Sequence, residues 1–329
     1  MSLLNRRTFV ASTAAGLAGA ATANTASAAE PKAQIAITLD LEMSRHYPRR
    51  EMTEWDYQKG NLDSATKNYS VQAGQVAKDL GGKIHYFCVG RVLEQANVDW
   101  LKTLAKQGHP IGNHTYDHVY VKAKTLGQVQ FRFQRAPWLI KGRKPEEVVY
   151  ENIRVTTAAM KKRAGVVANG FRTPGGFYTG LHDAKHVQMM LKKLGFTWVS
   201  SMYPRHTSGR PRQKPTDAVY KNIVEASRRT QPFIYKPSGL VEIPMSPISD
   251  VTAFRTHFWK LKYFLEAIER VVVDTIERGG VYDFLAHPSC LVVEDPKFET
   301  IKLICKLVEQ SKGKAEIVGL DQIAKAVRG

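Results

Sequence analysis

Short apolar runs alternate with longer amphipathic segments along most of this chain. The apolar runs are partly β-branched, as is typical of buried strands, and they cover 34–40, 83–90, 166–171, 197–200, 281–286 and 316–318. The segments with helical composition cover 70–80, 98–106, 146–163, 185–194, 261–277 and 300–309. A short strand over 108–112 and a last helix capped by Asp321 complete the pattern. Because the two kinds of segment alternate without repeats or a low-complexity linker, the sequence predicts one α/β domain with parallel strands.

Four charged or titratable side chains lie at the end of a predicted strand or just after it. They are Asp40, His114, Arg172 and His287. In folds with parallel strands, chemistry collects where the strands pass into the following loops. Four such groups at corresponding places are much less expected by chance than one, so the pattern predicts a functional site at one rim of a barrel.

The first residues read as an export signal. Arg6 and Arg7 precede a mildly apolar run rich in Ala, Gly and Thr, and a small-x-small site ends at Ala28. This pattern is typical of twin-arginine signal peptides and is short and weakly apolar for a membrane anchor. We therefore expect residues 1–28 to be removed and residues 29–329 to form the mature domain, without a transmembrane segment, in the periplasm or outside the cell.

The chain is strongly basic, with a formal charge of +18 that falls to +16 once the signal is removed. A positive surplus favours polyanionic partners, and export favours a cell-wall or extracellular polymer over nucleic acid. The basic residues are spread along the chain, so a generally solvated basic surface is the alternative. One basic stretch, 205–214, lies among Pro, Ser and Gly and is predicted to be a loop that could hold an anionic chain. The 3 cysteines show no spacing typical of a disulfide framework or a thiolate metal site.

His114 and His118 are candidate metal ligands. If the backbone between them is helical, the spacing of four residues places both imidazoles on one face, where they can bind one ion. The pair alone is a weak signal, because the chain carries 10 histidines and His182 and His186 share the spacing. A solvated helix face is the expected setting of that second pair.

Four short motifs give the chain a resemblance to a known family. They are Thr38-Leu39-Asp40-Leu41-Glu42, the segment from Gly108 to His118, Phe171-Arg172-Thr173-Pro174-Gly175-Gly176, and Phe284-Leu285-Ala286-His287-Pro288. In this order they resemble the polysaccharide deacetylases of the NodB-homology type, carbohydrate esterase family 4. The resemblance covers nearly all of the predicted mature chain and implies a distorted (β/α) barrel.

The resemblance also implies a reaction and roles for the matching residues. The reaction is hydrolysis of N-acetyl groups with a divalent metal, usually zinc. Asp40 would be the general base, Arg172 its orienting partner, and His287 the general acid for the departing amine. His114 and His118 would be metal ligands. Amide hydrolysis needs an activated water, a counter-charge for the oxyanion and a proton for the nitrogen, and these groups supply all three.

The first motif departs from the common pattern of two adjacent aspartates, the second of which is a metal ligand. Leu41 occupies that second place. Residues two apart at a strand end point to the same side, so Asp40 and Glu42 would share a face that Leu41 avoids. We expect Glu42 to be the third ligand, as in a divergent acid-x-acid branch of the family. The alternatives are a lost metal site, or a Glu42 that forms a salt bridge with Arg172.

A second departure concerns the group that tunes the acid histidine. Family members often carry an Asp in the stretch that corresponds to 197–204, and none is present there. Glu242 or Asp250 could take its place, and the sequence does not choose between them. The loops over 45–62 and 120–144 are predicted to shape the substrate pocket.

Three functional hypotheses follow. The first is an exported metal-dependent N-deacetylase acting on peptidoglycan or another acetylated polysaccharide. The second is a hydrolase of a small linear or cyclic amide, as in the acid-x-acid branch. The third is an inactive barrel that binds cell-wall polymer through its basic surface. Retention of Asp40, His114, His118, Arg172 and His287 together favours an enzyme.

Overall fold

A computed structural model of the chain describes residues 32–44, 59–129 and 137–329. Pro31–Gly329 forms one compact unit. The predicted signal over 1–28 and most of the first predicted pocket loop lie outside the described residues. No helix within the described ranges is both long enough and apolar enough to cross a membrane.

Nine strands of the described chain form one sheet, and most of them follow the predicted strands, whereas β6 and β7 were not predicted. They are β1 (Ala33–Leu41), β2 (Ile84–Cys88), β3 (Ile111–Asn113), β4 (Phe171–Phe177), β5 (Trp198–Met202), β6 (Phe233–Ile234), β7 (Val241–Glu242), β8 (Val281–Ala286) and β9 (Ala315–Ile317). The strand order is β6-β7-β5-β4-β3-β2-β1-β8, and β9 also pairs with β1. All pairs are parallel except β6 with β7.

The α-helices connect these strands. They are α1 (Ser64–Asp79), α2 (Asp99–Lys106), α3 (Leu126–Val129), α4 (Pro145–Ala159), α5 (Lys185–Lys193), α6 (Asp217–Arg229), α7 (Leu261–Glu277), α8 (Pro288–Glu294), α9 (Glu299–Gln310) and α10 (Leu320–Arg328). Short 3₁₀ helices cover Gly90–Glu94 and Pro137–Leu139, and π-helical turns cover Met160–Ala164 and Val251–Thr256.

The alternation of β1 separates two environments. Leu39 and Leu41 belong to a large apolar cluster that includes buried residues of α1, α7 and α9. Thr38 and Asp40 lie on the opposite face, because successive strand residues alternate. There the Thr38 hydroxyl donates to Asp283 of β8 at 2.7 Å and accepts from Arg172 of β4 at 2.7 Å. Contact between strands that are not neighbours shows that the sheet curls around this face.

The inside of the curled sheet is apolar at one end and polar at the other. Phe87 of β2 and Trp198 of β5 meet edge to face, with ring centroids 6.1 Å apart. Leu320 and Ile323 of α10 join the same buried cluster, so the last helix covers this end. The distorted barrel and single α/β domain predicted from the sequence are therefore confirmed, and the carboxyl ends of the strands are left for polar side chains.

Several predicted elements are shifted in the structure. The strand expected over 166–171 begins at Phe171 instead. Gly170, with φ of +75°, turns the chain just before it, and a Cβ there would lie 1.8 Å from the Trp198 ring. The expected cap Asp321 lies in the first turn of α10, and Gly319 holds the cap position. Helix α6 was not predicted at all.

Candidate active site

A cavity of about 820 Å³ opens at the carboxyl ends of the strands. Five of the six residues singled out from the sequence line it, and they are Asp40, Glu42, His114, His118 and His287. The sixth, Arg172, is fully buried beside Asp40. The structure therefore brings all six together, as expected for residues that end parallel strands.

Glu42, His114 and His118 place one possible ligand atom each within 4.8 Å of one another. The Oε2 atom of Glu42 lies 2.7 Å from Nε2 of His118 and 3.4 Å from Nε2 of His114. This oxygen is buried and has no hydrogen-bond partner among the described residues. One carboxylate oxygen and two imidazole nitrogens are a common donor set for a divalent transition metal. The residues present thus fit a metal ion.

The spacing of the two histidines favours a helical turn between them, but the structure has no helix there. Residues 114–118 form no helix, and Thr115 and His118 have φ angles of 58° and 55°. Asn113 supports this left-handed turn, because its side-chain oxygen accepts from the Thr115 amide at 2.8 Å. The Thr115 hydroxyl in turn accepts from the Val119 amide at 3.1 Å. The expectation of a helix was wrong, but the turn brings the His114 and His118 rings to a centroid distance of 5.1 Å.

The surroundings of both imidazoles suit metal binding. Nδ1 of His114 lies 3.0 Å from the carbonyl oxygen of Arg172, which can only accept, so this bond selects the tautomer with the proton on Nδ1 and the lone pair on Nε2. Burial lowers the pKa of His118 to about 4, against the opposing effect of Glu42. His118 is therefore neutral at pH 7.

Asp40 and Arg172 form a buried ion pair. Nη1 of Arg172 donates to Oδ1 of Asp40 at 3.1 Å, and Nη2 donates to Asp283 and to the Ser200 hydroxyl. Burial lowers the pKa of Arg172, but the charges of Asp283 and Asp40 outweigh it and leave the pKa above its usual value. The guanidinium thus fixes one oxygen of Asp40. The other, Oδ2, lies 3.7 Å from Nε2 of His114 and 4.0 Å from Nε2 of His287.

His287 follows β8 and is oriented by Asp250. Its Nδ1 lies 2.8 Å from Oδ1 of Asp250, and its backbone amide donates to Oδ2 of the same carboxylate at 2.8 Å. Burial lowers the pKa of His287, but Asp250, Glu42 and Asp40 reverse the effect and raise it above the usual value. Of the two candidates left open by the sequence, Asp250 is the one in contact. Glu242 is buried elsewhere, where it accepts hydrogen bonds from Ser201.

Glu42 pairs with a lysine and not with Arg172. The Lys59 ammonium donates to Oε1 of Glu42, and both side chains are 3% exposed. Burial alone would raise the pKa of Glu42, but His118 and Lys59 reverse this and hold the pKa well below its usual range. The carboxylate is therefore ionised at neutral pH and has Oε2 directed at the two imidazoles.

Lys59, Asp283 and Thr38 contact the site and were not expected from the sequence. Asp283 could have been found, because a carboxylate in the middle of the apolar strand Val281–Ala286 must face a polar partner. Thr38 shares its face with Asp40 by the same alternation. Lys59 lies in the loop over 45–62 that was predicted to shape the pocket, but nothing in the sequence distinguishes it from the other polar residues there as the partner of Glu42, seventeen residues earlier.

Residues 60–199 match the sequence model of the polysaccharide deacetylase family. No curated protein matches the chain by sequence. The matched segment contains three of the residues at the cavity floor or beneath it, which are His114, His118 and Arg172.

Solved structures match most of the chain at low identity. A protein from Mycobacterium smegmatis assigned as a polysaccharide deacetylase is 15% identical, with 91% of each chain covered and a TM-score of 0.57. One from Pseudomonas aeruginosa PAO1, with the same assignment, is 12% identical over 90% of this chain and 91% of that chain, with a TM-score of 0.55. The Puue allantoinase is 12% identical over 91% of each chain, with a TM-score of 0.53. At these identities the likeness establishes the fold alone.

Proposed function

We propose that this chain, whose residues 60–199 match the polysaccharide deacetylase family model, is a metal-dependent hydrolase that removes N-acetyl groups from an amino-sugar polysaccharide outside the cytoplasm. One observation carries the proposal. Oε2 of Glu42 and the Nε2 atoms of His114 and His118 converge on the floor of a cavity that Asp40 and His287 also line. Amide hydrolysis needs a bound metal ion, a general base and a general acid, and the residues on this cavity floor are suited to provide all three.

Glu42, His114 and His118 would hold the divalent ion, for which we propose zinc. Such an ion acts as a Lewis acid and makes a water nucleophilic near neutral pH. The chain supplies the remaining steps. Asp40 takes the proton of the attacking water with its Oδ2 atom, while Arg172 holds Oδ1 and orients the carboxylate.

His287 donates the second proton. Its Nε2 atom faces the cavity, since Nδ1 is bonded to Asp250, and lies 4.0 Å from Oδ2 of Asp40. The contact with the Asp250 side chain raises the pKa of His287 and so favours the imidazolium, which can protonate the departing nitrogen as the C–N bond breaks. Base and acid therefore act from two sides of the same small space.

Two features support a polymeric, anionic substrate over a small amide. The cavity of about 820 Å³ is larger than a small cyclic amide requires. The basic stretch 205–214 begins two residues after Tyr203, which lines the cavity. Two of its arginines lie over exposed aromatic rings, Arg205 on Tyr178 at 4.7 Å and Arg212 on Phe258 at 4.8 Å. The export signal proposed for 1–28 would place the enzyme with cell-wall or extracellular polymers.

The proposed function predicts acetate release that depends on a bound metal. The purified mature protein should release acetate from N-acetylated glycan or peptidoglycan, lose that activity after dialysis against a chelator, and regain it when zinc is restored. Acetate can be measured by a coupled enzymatic assay. Release that persists after the metal has been removed would exclude the metal-dependent mechanism, and its absence from every acetylated polymer would exclude the deacetylase.

Replacing Asp250 should change how the rate depends on pH. A general acid must be protonated, so its activity is lost as the pH rises through its pKa. Asp250→Asn removes a negative charge that raises the pKa of His287, so the alkaline limb of kcat should move to lower pH and kcat should fall about 10- to 100-fold.

The control for Asp250 is Glu242→Gln, which alters another buried carboxylate whose bonds go to Ser201, Met202 and Tyr235. It should leave the alkaline limb in place. The measurement is kcat for acetate release from roughly pH 5 to 10. A limb that stays at the parental pH in Asp250→Asn would contradict the role of His287 as the acid.

A further inference from the structure

A buried lysine, Lys59, lies at the floor of the cavity, beside Glu42, the carboxylate proposed to bind the metal. The Lys59 ammonium contacts Oε1 of Glu42 and donates to the Ser44 hydroxyl at 3.2 Å. The Ser44 hydroxyl itself donates to the same Oε1 atom at 2.6 Å. Oε1 thus accepts from an ammonium and a hydroxyl. None of the family motifs noted above includes Lys59.

The two oxygens of Glu42 are therefore not equivalent. Oε1 accepts two hydrogen bonds, whereas Oε2 accepts none from the described donors and lies against Nε2 of His118 and His114. A carboxylate that is free on both sides can bind a metal through both oxygens. One whose Oε1 is held by an ammonium offers a single oxygen.

We infer that Lys59 is a positioning residue that restricts Glu42 to coordination through one oxygen and limits how tightly the metal is held. This inference rests on the proposed metal-dependent function. Catalytic zinc sites need three protein ligand atoms and an open position for water or substrate. A carboxylate bound through both oxygens would occupy that position. Lys59 keeps it open.

The positive charge of Lys59 is the reason why it should limit the affinity for the metal. The side chains of Lys59 and Glu42 are each 3% exposed, so solvent screens little of the repulsion between an ammonium and a nearby divalent ion. Replacing Lys59 by a neutral side chain of similar length removes this repulsion. It also removes one of the two hydrogen-bond donors to Oε1. Both effects favour tighter metal binding.

The backbone around Glu42 does not depend on the Lys59 side chain, because the bond from the Met43 amide goes to the Lys59 carbonyl oxygen, at 2.9 Å. The Ser289 hydroxyl donates to the Glu42 carbonyl at 2.8 Å and accepts from the Ser44 amide at 2.8 Å. Arg255 donates to the Ser44 carbonyl at 3.2 Å. A Lys59 variant should therefore keep residues 42–44 in place and change mainly the carboxylate of Glu42.

The test compares zinc affinity in the parent chain, Lys59→Met and Lys59→Arg, by competition titration at pH 8. Lys59→Met should bind zinc at least about tenfold more tightly, the lower end of what residues that contact metal ligands contribute. Lys59→Arg keeps the charge and should stay within about threefold of the parent. Lys102→Met is the matched control, because Lys102 forms a solvent-exposed pair with Asp99 on α2.

The second readout is the visible spectrum of the cobalt-substituted protein, which reports coordination number. The parent should show the intense absorption of a low-coordinate site, and Lys59→Met the weaker absorption of a higher-coordinate one. Acetate release should be slower in Lys59→Met despite the tighter metal. If Lys59→Met does not fold, Ser44→Ala removes one donor from Oε1 and should shift the cobalt spectrum in the same direction.

The outcomes separate this inference from the proposed function. A parent chain that binds no zinc would overturn both. A parent that binds zinc and releases acetate, beside a Lys59→Met variant with equal or weaker affinity, would overturn only the role of Lys59. So would a cobalt spectrum that is the same in the parent, in Lys59→Met and in Ser44→Ala.

Discussion

Asp40→Asn is expected to reduce acetate release by at least about 10³-fold while zinc binding stays close to that of the parent chain. The asparagine oxygen can still accept from Arg172, so the side chain should keep its place. It carries no negative charge, however, and does not take a proton from water at neutral pH. Asp40 is absent from the group Glu42, His114 and His118, so the metal should remain bound.

The measurement for Asp40→Asn is single-turnover acetate release beside a zinc titration of the same preparation. Asp99→Asn provides the matched change on the exposed surface of α2, where Asp99 pairs with Lys102. It should behave as the parent in both assays. An Asp40→Asn variant that keeps more than about a tenth of the parental rate would show that another group acts as the base.

The positions of the residues proposed to act in catalysis could be predicted because they depend on one regular feature. Asp40, His114 and His287 lie at the carboxyl ends of parallel strands or just after them, and such ends meet at one rim whatever the loops do. Leu41 illustrates the same regularity. It is fully buried in the large apolar cluster that also contains Leu39. Glu42, two residues after Asp40, is therefore the acid that reaches the cavity beside Asp40.

The partners of these residues were harder to predict, because loops bring them from distant parts of the chain. Asp250 reaches His287 from the start of the π-helical turn Val251–Thr256, and no local pattern fixes the path of that segment. Lys59 likewise follows a long connection after β1. The left-handed turn at Thr115 was missed because Thr rarely adopts a positive φ, and here the turn is stabilised by the hydrogen bond that the Thr115 amide donates to the Asn113 side chain.

The position of Arg172 at the rim was predicted correctly, although the bounds of its strand were not. The predicted strand ended at Phe171, whereas β4 begins there. Phe171 pairs with Asn113, the last residue of β3, so Arg172 still lies at the level of the rim. The structure adds what the sequence did not reveal, because the Arg172 guanidinium of β4 bridges Asp40 of β1 and Asp283 of β8, and neither of these strands is a neighbour of β4 in the sheet.

Glu42→Ala should remove the metal site. With only two imidazoles left, zinc affinity should fall at least about 100-fold, and acetate release at limiting zinc should be lost. Zinc stabilises a protein in proportion to the logarithm of its concentration over Kd, so saturating zinc should raise the Tm of the parent and leave that of the variant nearly unchanged. Titration calorimetry measures the zinc affinity, and scanning calorimetry with and without zinc measures the Tm of the parent and of the variant.

A stability loss in Glu42→Ala has to be separated from the loss of metal, because the substitution leaves Lys59 buried without its carboxylate. Breaking a buried pair on one side typically costs about 3 kcal/mol or more. The double variant Glu42→Ala, Lys59→Met removes both charges and should regain most of that stability while still binding zinc poorly. Zinc binding at parental affinity in the double variant would assign the third ligand to Asp40, whose Oδ2 lies 3.7 Å from Nε2 of His114.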